Sequence, residues 1–96
     1  MYKAHMNSEI YNDIKNFILT IDTSSQWELK SCNQEEIFMQ KKFHQLDQIH
    51  LDFKDNKYIH MVLPMKNSSY SFYKKTLYNN DSVVFFKKYI NNIINV

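Results

Sequence analysis

The stretch "IHLDFKDNKYIHMVLP", residues 49 to 64, alternates apolar and polar side chains on both sides of a short polar loop. This period of two is typical of a β-hairpin with one buried face. A loop of three residues, 55 to 57, gives the cross-strand pairs Phe53 with Ile59, Leu51 with Met61, and Ile49 with Leu63. All three pairs are apolar, whereas a two-residue loop would mix the faces, so burial favours the longer loop. The same register places Asp52 opposite His60, and Pro64 should mark a strand end or an edge.

The segments around this hairpin predict the other elements of an α+β fold. The spacing of apolar residues favours helices over 7–22 and 79–94, and strands over 26–31 and 69–77. The predicted architecture is an N-terminal helix, an antiparallel meander of four to five strands and a C-terminal helix. Because one sheet face is apolar and both helices are amphipathic, we expect both helices to pack on that face.

Residues 33 to 48 are compatible with two structures. As a helix, the segment would begin with a capping box of Asn33 and Glu36 and carry an apolar stripe of Met39, Phe43 and Leu46. As a strand over 36–43, it would pair with 26–31 through the turn "CNQE", residues 32 to 35. We favour the strand, although the intrinsic propensities mildly favour the helix.

Length and cysteine usage place the chain among small globular domains. The 96 residues fit one domain over 1–96, of which residues 1–6 are interpreted as a disordered leader or a cloning remnant. No apolar stretch follows the first lysine, so no signal peptide is expected, and no membrane contact either. Cys32 is the single cysteine, which excludes an internal disulfide and a cysteine-rich zinc site. We therefore expect an intracellular protein, in the cytoplasm or nucleus.

Glycine and arginine are both missing, and all twelve basic residues are lysines. Abundant lysine, asparagine, isoleucine and tyrosine, with their A+T-rich codons, indicate an AT-rich genome. Without glycine there is no Walker loop and no dinucleotide fingerprint, so no cofactor is expected. Without arginine there is no bidentate clamp for phosphate or guanine. A formal net charge of +2 also falls short of the basic footprint of a strong nucleic-acid binder.

The histidines of the hairpin raise the question of catalysis or metal binding. Asp52 could orient the His60 imidazole, which is half of a catalytic arrangement, but no motif supplies a nucleophile. His50, His60 and Asp52 could share a zinc ion, but they lack a spacing signature. A cross-strand polar pair on a solvated face explains the same residues, so we expect no enzyme and no metal site.

Three lysine doublets, at 41–42, 74–75 and 87–88, lie near aromatic residues. Such strands can stack single-stranded bases while lysines follow the phosphates. "IHLDFKDNKYIHMVLP", then "YSFYKKTL" and a closing helix, resembles the strand-strand-strand-helix unit of PUR-type single-stranded nucleic-acid binders. The resemblance covers about half of the chain and implies binding of single-stranded nucleic acid. The chain departs from the family's pattern, since it lacks the expected glycines and arginines.

Large aromatic residues outnumber what one small core normally hides, and surface aromatics are the usual anchors of protein interfaces. We therefore predict a non-enzymatic protein-interaction domain: an adaptor, inhibitor or complex subunit that binds another protein or forms a homo-oligomer. Single-stranded nucleic-acid binding on the open sheet face is the alternative, and a small hydrolase ranks last. The expected binding residues are Phe85, Tyr89, Lys88, Tyr70, Phe72, Tyr73 and Lys75.

Overall fold

The computed structural model describes residues 8–22, 26–42, 44–66, 68 and 70–94. The predicted leader, residues 1–6, lies outside these ranges. The elements in chain order are α1 (Ser8–Asp22), β1 (Trp27–Cys32), β2 (Glu36–Lys41), β3 (His44–Asp52), β4 (Tyr58–Pro64), β5 (Ser71–Leu77) and α2 (Asn80–Ile94). The five strands form one antiparallel meander in the order β1-β2-β3-β4-β5, so the predicted α+β fold is confirmed.

The register predicted for residues 49 to 64 is the observed one. Leu51 pairs with Met61, and Asp52 with His60. Leu51 and Met61 are fully buried, which is the physical reason for this register: a slip by one residue would move both side chains to the solvated face. Pro64 is the last residue of β4, as expected.

The ambiguous segment is extended, so the preferred strand interpretation is confirmed for 36–41. Asn33 makes the turn before β2, because its side-chain oxygen accepts from the backbone N–H of Glu35 and Glu36 at 2.8 and 3.1 Å. The strand ends two residues earlier than predicted, and β3 begins at His44 rather than at Ile49. A register irregularity between Gln40 and Lys41 accompanies this turn, and no glycine or proline marks it in the sequence.

One sheet face and both helices enclose the core. The strands contribute alternate residues, and each helix contributes an apolar stripe. The fully buried residues are Ile14 and Ile18 of α1, Phe86 and Ile90 of α2, and Ile37, Met39, Ile49, Leu51, Ile59, Met61 and Leu63 of the sheet. Because every one of these belongs to a single cluster, both helices lie on the same face and leave the other face open.

The C-terminal helix has a built N-cap. The Asn79 side-chain oxygen accepts from the Ser82 backbone N–H at 3.1 Å, so Asn79 is the capping residue. The Ser82 hydroxyl donates to the Leu77 carbonyl oxygen, which ties the first turn of α2 to the end of β5. No helix within the described ranges has the length and apolar character needed to span a bilayer.

Candidate functional site

The edge strand β5 divides the predicted binding residues between two faces. Phe72 pairs with Leu63 and therefore lies on the helix-covered face. Tyr73 and Lys75 pair with Val62 and His60, so they lie on the open face. The predicted set consequently forms two surfaces that meet along β5, and not one continuous patch.

An aromatic cluster connects β5 to α2 on the helix-covered face. Tyr89 makes an edge-to-face contact with Phe72 at 5.7 Å and stacks on Phe85 at 5.8 Å between ring centroids. The Lys74 ammonium lies 5.1 Å from the Phe85 ring centroid, within cation–π range. The Tyr89 hydroxyl donates to the Pro64 carbonyl oxygen at 2.7 Å, and burial raises the pKa of this phenol. Tyr89 therefore holds α2 against the end of β4 through its hydroxyl. Its ring also packs beside Phe72 and Phe85 at the edge of the sheet.

On the open face, a chain of hydrogen bonds joins β4 to β5 and to the preceding loop. His60 Nε2 lies 3.0 Å from an Asp55 carboxylate oxygen, and His60 Nδ1 lies 2.6 Å from the Tyr73 hydroxyl. A carboxylate only accepts, so Nε2–H donates to Asp55, and in that tautomer Nδ1 accepts a hydrogen bond from the Tyr73 hydroxyl. The pKa of Asp55 is lowered, first by the Lys57 backbone N–H and then by His60.

A second polar group lies at the other side of the open face. His50 Nε2 lies 2.8 Å from a Glu36 carboxylate oxygen, and the Ser31 hydroxyl donates to the other oxygen at 3.2 Å. These bonds, with the one from His50 contributing most, lower the pKa of Glu36. Phe38 contacts the His50 ring edge-to-face at 5.5 Å. Both open-face histidines are thus held in place by carboxylates.

The hydrogen bond considered between Asp52 and His60 is not the one that forms. The two residues are cross-strand partners, but the imidazole turns to Asp55, while an Asp52 oxygen accepts from the Lys54 backbone N–H at 2.9 Å. Within the described ranges, no three histidine, cysteine or acidic side chains are placed to hold a metal ion. A shallow depression of about 350 Å³ is lined by His50, Asp52, His60, Val62 and Tyr73.

Several residues beside β5 remain strongly exposed. Tyr70 is 66% and Tyr73 59% exposed, and Tyr70 lies just before the strand. Leu77 at the end of β5 and Val84 on α2 are 54% and 56% exposed. Lys88 is exposed one helical turn beyond Val84 and Phe85. We name the residues on the two sides of this edge together the β5 surface. It comprises Tyr73, Lys75 and Leu77 on the open face, and Phe72, Lys74, Val84, Phe85 and Lys88 on the side of α2.

Formal charge is divided between the two halves of the molecule. Asp81 is the single acidic residue after Asp55, and the lysines that follow Asp55 are Lys57, Lys66, Lys74, Lys75, Lys87 and Lys88. Because the sheet is a simple meander, order along the chain is order across the sheet. The basic half of the sequence therefore becomes the β4, β5 and α2 side of the molecule.

The predicted binding residues omitted three members of this surface: Lys74, which the sequence singled out only as part of a lysine doublet, and Leu77 and Val84. The contact between Lys75 and Tyr58 was not predicted. The Lys75 ammonium lies 4.5 Å from the Tyr58 ring centroid. The charge division was readable from the sequence, because it needs only the positions of lysine and acidic residues. The exposure of Leu77 and Val84 was not, because it depends on how far α2 covers the edge of the sheet.

No protein-family model, curated protein or solved structure matches the chain. The resemblance to PUR-type proteins therefore rests on the sequence pattern alone. Function has to be argued from the surface itself.

Proposed function

We propose that the chain is a non-enzymatic protein-interaction domain that binds its partner through the β5 surface. It acts inside the cell, in the cytoplasm or nucleus, as an adaptor, inhibitor or complex subunit. The observation that carries this proposal is the combination of exposed apolar side chains and lysines at one edge of the sheet. Apolar and aromatic side chains supply the contact area of an interface, and charges at the rim guide the partner.

The charges of the β5 surface support an external partner. The ion pairs among the described residues involve Glu28, Glu36, Asp52 and Asp55, all of which precede β4. None of those pairs includes Lys74, Lys75 or Lys88. Lys74 and Lys75 instead lie against aromatic rings, and both residues remain exposed. Such lysines are available to carboxylates of another molecule.

The apolar members of the surface support the same proposal. Val84 and Leu77 are each more than half exposed; Leu77 lies on the open face, and Val84 is next to the half-buried Phe85 on α2. Isolated exposed apolar residues need no explanation, but apolar side chains exposed on both sides of one edge strand, together with lysines, favour an interaction site. A partner would bury this group and place acidic groups near the lysines.

Affinity capture from the native host followed by mass spectrometry tests the proposal. The wild-type chain is compared with Lys74→Glu/Lys75→Glu and with the matched doublet Lys41→Glu/Lys42→Glu, which changes charge equally in the acidic half. We expect partners that the first variant loses and the second retains. Size-exclusion chromatography with light scattering shows whether the partner is a second copy. A monomer whose two variants capture the same proteins as the wild type contradicts the proposal.

Binding of single-stranded nucleic acid is the second candidate, favoured by the rings and lysine on the basic half of the open face. Tyr58, His60 and Tyr73 offer ring surface, and Lys75 offers a charge for phosphate. Against it, Asp52 and Asp55 lie beside these rings, and Lys75 already covers Tyr58. Filter binding of oligodeoxythymidine against salt decides between the candidates. No retained oligonucleotide at about 50 mM salt, where phosphate contacts are strong, eliminates this one.

A further inference from the structure

We propose that the outer edge of β5 accepts an extended acidic peptide segment as a sixth strand of the sheet. This inference rests on the proposed function and specifies the partner's chemistry. The recognition mode is strand addition, in which backbone hydrogen bonds supply affinity and alternate side chains supply specificity.

The two edges of the sheet differ in regularity. Within the described ranges, β1 and β5 are the outermost strands. β1 carries a register shift between Leu29 and Ser31, an irregularity that obstructs further pairing. β5 pairs with β4 over all seven of its residues without a shift, from Ser71 to Leu77. The straight edge is therefore β5.

Hydrogen bonds at the two ends of β5 show which backbone groups face outward. The Met65 N–H donates to the Tyr70 carbonyl at 2.8 Å, and the Tyr78 N–H donates to the Lys57 carbonyl at 2.9 Å. Both bonds continue the β4–β5 register, and hydrogen-bonded pairs alternate along antiparallel strands. Even-numbered residues of β5 therefore bond to β4. The N–H and C=O groups of Tyr73 and Lys75 point away from it.

The outward groups extend as far as the start of α2. The Leu77 carbonyl is already occupied, because the Asn79 N–H and the Ser82 hydroxyl both donate to it. The outward N–H groups of Tyr73, Lys75 and Leu77 and the outward carbonyls of Tyr73 and Lys75 remain for a partner. This length suits a peptide of about five residues at 3.3 Å per residue.

The lysines determine the charge of the peptide. Lys74 lies on the helix-covered face and Lys75 on the open face, because neighbouring residues of a strand point to opposite sides. Two consecutive acidic residues in an added strand would likewise point to opposite sides, one toward each ammonium. Apolar residues flanking them would contact Phe72 and Phe85 on one face and Tyr73 on the other. Charge complementarity thus predicts two adjacent carboxylates within a β-forming segment.

A second copy of the chain fits this edge poorly. Pairing of β5 with another β5 brings four lysines into one two-stranded ribbon, and edge lysines are a common device against such self-pairing. Pairing of β5 with the β1 edge of another copy meets the register shift in β1. The carboxylates of an acidic peptide, by contrast, would be attracted to the Lys74 and Lys75 ammonium groups.

The test uses a library of random nine-residue peptides displayed on phage and selected on the wild-type chain. We expect enrichment of adjacent acidic residues flanked by β-branched or aromatic residues, without proline.

A selected peptide is then titrated into ¹⁵N-labelled protein. The backbone amide signals of Tyr73 and Lys75 should move most. Lys74→Glu/Lys75→Glu should weaken binding about tenfold or more, whereas the matched Lys41→Glu/Lys42→Glu variant, outside the β5 surface, should bind within about threefold of the wild type.

Each other outcome contradicts a defined part of the account. Selected peptides without acidic enrichment, or with signal changes away from β5, overturn the strand-addition site while the protein-interaction function stands. A selection in which no peptide is enriched also overturns the strand-addition site. An empty selection together with oligodeoxythymidine binding overturns both the site and the proposed function. A concentration-dependent dimer whose formation protects Tyr73 and Lys75 replaces the peptide with a second copy. Unchanged amide spectra of the variants outside β5 verify that they are folded.

Discussion

Asp52 and His60 lie directly opposite each other on β3 and β4, yet the His60 imidazole bonds to Asp55 and Tyr73 instead. Strand pairing fixes which residues are neighbours, but the loop decides which carboxylate the ring reaches. Asp55 also accepts from the Lys57 backbone N–H at 2.9 Å, so it stabilises the loop and orients the histidine together. These hydrogen bonds connect the hairpin loop to β4 and β5.

Acid should destabilise the fold through Asp55 and Glu36. Hydrogen bonds lower the pKa of both carboxyls from their ordinary values of 3.8 and 4.5. A lowered pKa in the folded state gives stability that is present above the ordinary value and is lost as pH falls below it. We expect Tm to fall as pH decreases through about 4.5, with a shallower fall in Asp55→Asn/Glu36→Gln. Thermal unfolding by circular dichroism from pH 3 to 7 measures this. Glu35→Gln, at an exposed turn position, is the control and should retain the wild-type slope.

Alkali should destabilise the fold through Tyr11. Burial, and then its neighbour Cys32, raises the pKa of Tyr11 from 10.0 to about 12. Stability from this neutral phenol is complete below pH 10 and is lost as pH rises from 10 toward 12, because the unfolded chain ionises first. In Tyr11→Phe we expect a lower Tm at pH 7, since the bond of 2.7 Å to the Asn33 carbonyl is lost, and a flatter decline above pH 10. Exposed Tyr70→Phe should match the wild type, and equal slopes in all three proteins would refute the assignment.

Tyr89→Phe tests the contact between α2 and the end of β4. The substitution removes the hydroxyl that donates to the Pro64 carbonyl and keeps the ring contacts with Phe72 and Phe85. We expect the free energy of unfolding to decrease by about 0.5–1.5 kcal/mol. Urea denaturation measures it, and Tyr58→Phe, in which Lys75 can still lie over the ring, is the control. A loss in Tyr89→Phe no larger than in Tyr58→Phe would contradict the contact.

Asn79→Ala tests the cap of α2. The Asn79 side chain satisfies the Ser82 N–H at the start of the helix, so its removal should cost about 1 kcal/mol of unfolding free energy. Asn80→Ala, at the neighbouring exposed position, should change stability by less than about 0.5 kcal/mol. Urea titration of the two variants separates the predictions, and an equal effect at both positions would place the cap elsewhere.

Much of the fold was predictable because its signals are local. The period of two in residues 49 to 64 and the need to bury one face determine the register of β3 and β4, since a single slip exposes Leu51 and Met61. The start of β3 at His44 was not predictable. Its turn lacks glycine and proline, and the register irregularity at Gln40 depends on pairing between strands rather than on any one residue.

The candidate site was predictable as a set of residue types but not as an arrangement. Alternation places Phe72 and Tyr73 on opposite faces, as observed. The packing of Phe85 and Tyr89 against each other and under Lys74 depends on the angle between α2 and β5, which no local pattern encodes. The outward direction of the Tyr73 and Lys75 backbone groups follows from hydrogen bonds at the ends of the strand, outside the site itself. For these reasons the sequence predicted which residue types would form an interaction surface, but not how they are arranged.

Amide hydrogen exchange along β5, measured by NMR on the free protein, tests the open edge most directly. The account predicts alternation: Lys74 and Thr76, bonded to β4, exchange slowly, whereas Tyr73 and Lys75, facing outward, exchange quickly. Addition of the selected acidic peptide should slow Tyr73 and Lys75 without changing Lys74. Uniform protection of all four amides in the free protein, or the opposite alternation, would contradict an edge that is free to accept a partner strand.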